Sequence, residues 1–249
     1  MKIGIMGFGH LGRCFAQGLL KTKVAEHSEI CVSAKSEKTK QLARNMGFEV
    51  KDNEALTRCS DVIVIALKSK VFCEVAAQEL SPALFNGKIV LSFMAGMTMA
   101  EIQPFLGAAQ IVRAIPSIAI AQGNGVTGYT NAPLEVVQML NSLGYAFQVE
   151  EKDIEKVTAF ASCGIGFAAY MLNAYQKAGV AMGFSPEESE KITAMTFQGA
   201  LDLMDFENTV KHVATKGGAT EQGVLYFEKE HLPDILLDGM KQAYNRMTK

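Results

Sequence analysis

The chain has 249 residues, 49% of them hydrophobic and 20% charged, a composition that builds genuine cores and excludes a disordered polymer. Its formal net charge of −2 leaves no electrostatic footprint for nucleic acid or for an anionic membrane. Five cysteines at 14, 31, 59, 73 and 163 form no CxxC pair and no zinc spacing, so no metal is expected and the thiols read as reduced, cytoplasmic ones.

The N-terminal "MKIGIMGFG" reaches glycine before any apolar run of useful length, so no signal peptide is expected. Over residues 1–150, strand candidates fall at 2–6, 29–34, 61–67, 88–93, 110–115, 125–130 and 146–150. Between them, 11–22, 36–46, 70–80 and 133–143 carry helical spacing. Strands alternating with helices predict an α/β fold with a parallel, doubly wound sheet and crossover connections. The run "DVIVIAL" is almost wholly apolar, as expected of a strand covered on both faces.

The first strand leads into "GFGHLG", a G-x-G-x-x-G pattern at Gly7, Gly9 and Gly12 that opens a helix. In that setting it is a dinucleotide fingerprint: Gly7 for the tight turn, Gly9 for close approach of the pyrophosphate, Gly12 for helix–strand packing. Phe8, His10 and Leu11 lie in the same loop; the His10 ring either touches the pyrophosphate or points to solvent. An acid that binds a ribose 2′-hydroxyl belongs at the end of the second strand, but "CVSAKSEK" puts Ser33, Lys35 and Ser36 there. Hydroxyls and a cation suit a 2′-phosphate, which predicts NADP as cofactor, with NADPH preferred over NADH. The plainer reading of Lys35 is a solvated turn lysine.

After residue 150 the alternation stops, and helices are expected at 151–160, 163–181, 186–205, 207–214, 220–230 and 233–247. "FSPEES" opens one of these, with Ser185 as the cap and Glu188 three residues on. Residues 157–176 contain no charge, a length that suits a membrane span, yet their Thr, Ser, Asn, Tyr and Gly content points to a buried helix. A domain boundary is therefore expected at 150, separating 1–150 from an all-helical 151–249.

Taken in order, "KIGIMGFGHLG", "VSAKS", "DVIVIALKS", "LSFMAGMT", "VRAIPS", "VTAFASCGIGF", "KAGVAMGF" and "ATKGGATEQGV" resemble the pyrroline-5-carboxylate reductase family along nearly the whole chain. The resemblance implies an N-terminal Rossmann domain, a helical C-terminal domain that forms a homodimer or higher homo-oligomer, and reduction of a cyclic imine carboxylate to proline. It extends the cofactor contacts to Asn53, Ala66, Leu67, Lys68, Ala95 and Gly96. The sequence also departs from the family pattern. Lys68-Ser69 replaces Lys-Pro, Pro116-Ser117-Ile118-Ala119 replaces Pro-Asn-Thr-Pro, and Ser162 to Phe167 replaces Gly-Ser-Gly-Pro-Ala-Tyr, with Ile165 at the proline. In the last motif, Thr215, Lys216 and Ala219 stand for the usual serine, proline and first threonine.

That last motif has a physical reading of its own. Free N–H groups at Gly217 and Gly218, with the Thr215 and Thr220 hydroxyls, would cradle a substrate carboxylate at a helix N-terminus. By resemblance Thr220 lies near the imine nitrogen and is the catalytic candidate. The alternative is that Thr220 simply caps helix 220–230. A pyrroline nitrogen is basic enough to be partly protonated near neutrality, so no posed general acid is needed. His27, His212 and His231 share no metal spacing, and Cys163 suits helix packing better than nucleophilic work. Two other readings stay open: a related imine or hydroxyacid reductase, and a non-catalytic dinucleotide-binding protein. A hydroxyacid enzyme would place a lysine within the helix near 163–176, which has none; Lys177 lies at its far end.

Overall fold

The computed structural model describes residues 1–248, so the final residue of the second expected domain lies outside the described residues. Packing divides the chain into two compact units, one of Met1–Ile165 joined by the C-terminal end from Ala243 on, the other Gly166–Gln242. The change of texture at 150 falls at the end of the last strand, while the packing division comes inside the helical stretch that follows.

The first unit is an eight-stranded sheet. Its strands are β1 (Ile3–Met6), β2 (Ile30–Ser33), β3 (Glu49–Val50), β4 (Val62–Ile65), β5 (Ile89–Ser92), β6 (Gln110–Pro116), β7 (Gly125–Tyr129) and β8 (Gly144–Gln148). The order is β3-β2-β1-β4-β5-β6-β7-β8. Helices α1 (His10–Lys21), α2 (Glu37–Asn45), α3 (Asn53–Cys59), α4 (Ser69–Glu79), α5 (Met99–Leu106) and α6 (Leu134–Ser142) connect them. Every residue of β1 and β4 is buried, because one core containing Phe15, Leu19, Phe93 and Leu140 covers one side of the sheet and a second containing Phe72, Phe85, Ile102 and Leu106 covers the other.

Three features depart from the expectation. The sheet is mixed: β7 pairs antiparallel with β6, and β8 pairs parallel with β7. Only a short 3-10 turn, Ile118–Gln122, separates β6 from β7, too little chain for the crossover that a parallel neighbour needs. β3 is an edge strand of two residues, too short to show a period. α3 and α5 are short helices that the spacing did not single out.

Beyond β8, the chain is helical from Glu151 to Ala181 without a break, 31 residues that include α7 (Ile154–Val157), one π turn (Thr158–Ser162) and α8 (Gly164–Ala181). By length and composition this stretch could cross a membrane, and only 17% of its most apolar window is buried within the chain. α9 (Pro186–Leu203), α10 (Phe206–Val213), α11 (Ala219–Lys229) and α12 (Leu232–Met247) follow. The expected capping box opens α9: Ser185 Oγ accepts the Glu188 N–H at 3.2 Å and Glu188 Oε2 accepts the Ser185 N–H at 3.0 Å. In the second unit Tyr170, Met171, Tyr175 and Val180 on α8, with Ile192, Met195, Leu201 and Leu203 on α9, are exposed. That is far more apolar surface than a single soluble chain usually leaves uncovered.

Candidate active site

The turn from β1 into α1 leaves no room for a side chain at Gly7 or Gly12. Gly7 has φ +100°, and a Cβ there would lie 2.8 Å from the Ala66 carbonyl oxygen. At Gly12 a Cβ would lie 2.1 Å from the Gly7 carbonyl oxygen, so the helix sits directly on the turn. Gly9 meets nothing within 4 Å, which leaves its backbone open to a ligand. It also caps α1 without a side chain, so no group among the described residues takes the N–H groups of His10, Leu11 and Gly12. Open backbone plus unsatisfied amides at a helix N-terminus is the geometry of an anion site.

A cleft of about 640 Å³ opens beside this turn. Of the residues expected there, Gly7, Phe8, Gly9, Ser33, Lys35, Ser36, Asn53 and Leu67 line it. Ser33 Oγ donates to Asn53 Oδ1 at 2.6 Å, and Asn53 Nδ2 donates to Glu79 Oε2 at 2.6 Å, so both side chains are fixed. Ser36 is committed as well, since its hydroxyl caps α2 by accepting the Thr39 N–H at 3.1 Å. The wall also holds residues that the motif reading missed: Thr39, Lys40, Arg44 and Lys51. With Lys35 they gather four cations on one wall, of which Lys35 makes no ion pair among the described residues. Lys40 and Arg44 share Glu37, at 2.7 and 3.9 Å. Asp52, Glu74 and Glu79 line the same cleft, with Asp52 Oδ1 occupied in capping α3 through the Ala55 N–H at 2.7 Å.

The remaining expected cofactor residues stand outside that lining. The His10 ring turns along α1, its Nδ1 3.3 Å from Arg13 Nη2, which leaves the solvent-side reading of the ring and only its backbone amide for the anion. Leu11 packs on the core, and the Ala66 carbonyl closes on Gly7. Lys68 caps α4 without a side-chain bond. Ala95 and Gly96 lie in the loop between β5 and α5, where Ser69 Oγ donates to the Ala95 carbonyl at 3.2 Å. This loop leaves the carboxyl end of β5, the edge at which open α/β sheets bind ligands.

A buried ion pair holds that loop. Arg113 of β6, 1% exposed, donates through Nη2 to Glu155 Oε1 at 2.5 Å and to the Met94 carbonyl at 3.3 Å. Glu155 Oε1 also accepts the Gly96 N–H at 3.2 Å, and Glu151 Oε1 accepts the Met99 N–H at 2.5 Å. Next to it, the π turn lets Cys163 N–H reach the Thr158 carbonyl at 2.8 Å and brings Ser162 Oγ to 3.3 Å from the Ile115 carbonyl. π turns of this kind cluster at functional sites. Burial pushes the Cys163 thiol up, which suits packing and not nucleophilic attack.

In the second unit the terminal glycine loop corrects the expectation in two respects. Gly218, not Thr220, caps α11, so Thr220 stands in the first turn, exposed. Its hydroxyl has no partner among the described residues. Nor are the two glycine amides free: Gly217 N–H donates to Glu221 Oε2 at 2.7 Å and Gly218 N–H to the Thr215 carbonyl at 2.8 Å. The amides with no partner among the described residues are those of Ala219, Thr220 and Glu221, the first turn of α11. Thr215 is exposed beside them. Glu221 was missed, although a carboxylate four residues after a glycine at a helix start is well placed to fold back on it.

A family profile described as "Pyrroline-5-carboxylate reductase dimerisation" matches residues 151–249, and one described as "NADP oxidoreductase coenzyme F420-dependent" matches residues 2–96. A pyrroline-5-carboxylate reductase of Aquifex aeolicus is 31% identical over 100% of this chain and 97% of its own length. The crystal structure of Plasmodium falciparum pyrroline carboxylate reductase with NADP bound superposes with a TM-score of 0.91 at 22% identity, covering 100% of this chain and 97% of that one. The enzyme from Streptococcus pyogenes gives 0.88 at 21%, with coverage of 100% and 98%.

Proposed function

The chain belongs to the pyrroline-5-carboxylate reductase family, and from that premise we propose that it reduces 1-pyrroline-5-carboxylate to L-proline with NADPH as reductant. The observation that carries the reading is the pairing, in one chain, of an open glycine turn beside a cationic cleft with a second helix N-terminus whose first amides are unsatisfied. When bound, the reduced nicotinamide supplies a hydride and the imine's own basicity supplies most of the activation.

What the chain contributes is holding and orienting. The amides of His10, Leu11 and Gly12 take the diphosphate over the open face of Gly9. Lys35 and Arg44 take the 2′-phosphate, with Lys40 and Lys51 adding to the field, which is why NADPH is favoured over NADH. Ala95 and Gly96, in a loop clamped by Arg113 and Glu155, bound the nicotinamide end. The first-turn amides of α11 and the Thr215 hydroxyl hold the substrate carboxylate. Thr220 Oγ donates a hydrogen bond to the ring nitrogen as it becomes an amine, so catalysis is mostly proximity and orientation.

The exposed apolar residues of α8 and α9 are covered by a second copy of the chain, giving a cytoplasmic homodimer rather than a membrane protein. Steady-state assay of the purified chain with pyrroline-5-carboxylate and each reduced nicotinamide tests the reaction. Turnover of the imine with NADPH is expected. Absence of turnover with either nucleotide, in a protein that binds NADPH, would leave only the dinucleotide-binding fold.

A further inference from the structure

Cys31 on β2 and Cys59 at the end of α3 bring their sulfurs to 3.6 Å. Cys31 is buried and Cys59 exposed. Both border a small surface cleft of about 90 Å³ shared with Lys2, Glu29, Glu49 and Lys51, so a small polar reagent can reach the outer thiol. Burial pushes the Cys31 thiol up to about 11, and Ser60 Oγ stands 3.6 Å from its sulfur. A disulfide needs the two sulfurs to close from that contact to about 2.05 Å.

The placement of the pair gives the closure a consequence. β2, which carries Cys31, ends at Ser33; α3, which carries Cys59, begins at Asn53. The Ser33–Asn53 hydrogen bond lies in the wall of the large cleft, and Lys51 lines both clefts. A covalent tie between 31 and 59 therefore joins the far ends of the same two elements whose near ends shape the cofactor wall.

We propose that Cys31 and Cys59 form a reversible thiol–disulfide site that responds to low-molecular-weight disulfides and weakens dinucleotide binding when closed. The Cys59 thiolate attacks one sulfur of the reagent disulfide, breaking its S–S bond, forming a mixed disulfide and expelling one thiolate. Cys31, giving up its proton, then attacks Cys59 Sγ, forming the internal disulfide and expelling the second thiolate. Two electrons pass from the protein thiols to the reagent, and the two thiol protons end on its two sulfurs. Transient, sensing disulfides are the kind that a reducing compartment permits. The effect on binding rests on the NADPH reading given above; the bond itself does not.

The test uses the full chain, fully reduced and then incubated without oxygen in glutathione disulfide. Peptide mass mapping reads the bond, and fluorescence titration reads NADPH affinity. We expect a Cys31–Cys59 cross-link with loss of two hydrogens, affinity about five-fold weaker or more, and recovery in dithiothreitol. Cys59→Ser, at an exposed position, should bind NADPH as the reduced protein does and ignore the reagent. Glutathione left on Cys59 with no cross-link, or a cross-link with unchanged affinity, overturns the proposal. A cross-link in a protein that never binds NADPH, even reduced, overturns the cofactor reading instead.

Discussion

Arg113 and Glu155 meet at 2.5 Å with the arginine 1% and the glutamate 13% exposed, and the same glutamate oxygen accepts the Gly96 amide. One ion pair thus ties β6, the loop after β5 and the helical stretch after the sheet. The Arg113 Nε has no partner among the described residues, so the guanidinium depends on its two terminal nitrogens. Removing the cation strands a mostly buried carboxylate. Arg113→Met should cost about 3–5 kcal/mol, read as a shifted urea midpoint at unchanged slope. Arg113→Met combined with Glu155→Gln should recover part of that loss. A single-mutant cost below about 1 kcal/mol would mean that the pair behaves like a surface bridge.

The cationic wall predicts cofactor choice. A charge-assisted contact to a 2′-phosphate is worth about 1.5–3 kcal/mol, so NADPH should bind at least about ten-fold tighter than NADH. Lys35→Ala and Arg44→Ala should each erode that ratio while leaving NADH affinity nearly unchanged. Equal affinity for both nucleotides in the parent protein would refute the assignment of these cations.

Assembly follows from the uncovered face of α8 and α9. With Tyr170 at 74% and Met195 at 66% exposure in the single chain, light scattering at micromolar concentration should report a dimer or a multiple of it. Met171→Asp together with Val180→Asp should shift the protein toward monomer and lower its melting temperature. A monodisperse parent monomer would contradict the second copy proposed to cover this surface.

Legibility in the sequence follows the range of the interactions involved. Gly7, Gly9 and Gly12 are legible because a tight turn and a close approach each demand glycine at a fixed spacing, and the short buried strands β1, β2 and β4 announce themselves by composition. β3 could not be read, since two residues carry no period. The reversal at β7 is a property of pairing partners, with no local signature beyond the short turn before it. Lys40 and Arg44 stand at helical spacing, but a charged helix face is ordinarily solvated, and only the cleft distinguishes these. Arg113 and Glu155 are 42 positions apart, and no pattern in either neighbourhood announces the other. At 215–221 the expected free glycine amides are instead bonded, because the sequence does not say where a flexible carboxylate such as Glu221 will fold back.

Glu221 supplies the next expectation. Its carboxylate holds the Gly217 N–H at the mouth of the helix that is proposed to receive the substrate carboxylate. Two anions there repel each other, so Glu221→Gln should lower KM for pyrroline-5-carboxylate several-fold with little change in kcat. Thr215→Ala should act in the opposite direction on KM. If Glu221→Gln leaves KM unchanged, α11 does not receive the carboxylate.

The sharpest expectation concerns Thr220. A threonine that capped the helix would reveal itself in stability, with a loss of about 1 kcal/mol on truncation. Here Gly218 occupies the cap, and the Thr220 hydroxyl, exposed in the first turn, has no partner among the described residues. Thr220→Ala should therefore leave the melting temperature nearly unchanged. Catalysis should respond differently, because a hydrogen bond made chiefly as the ring nitrogen becomes an amine is absent from the ground state. Its loss should lower kcat about ten- to hundred-fold, with NADPH affinity unaffected. Thr220→Ser keeps the hydroxyl and should restore most of the rate. Melting temperature and turnover measured on the same three proteins separate the roles: normal kcat in a destabilised Thr220→Ala protein would remove Thr220 from the chemistry and return it to the fold.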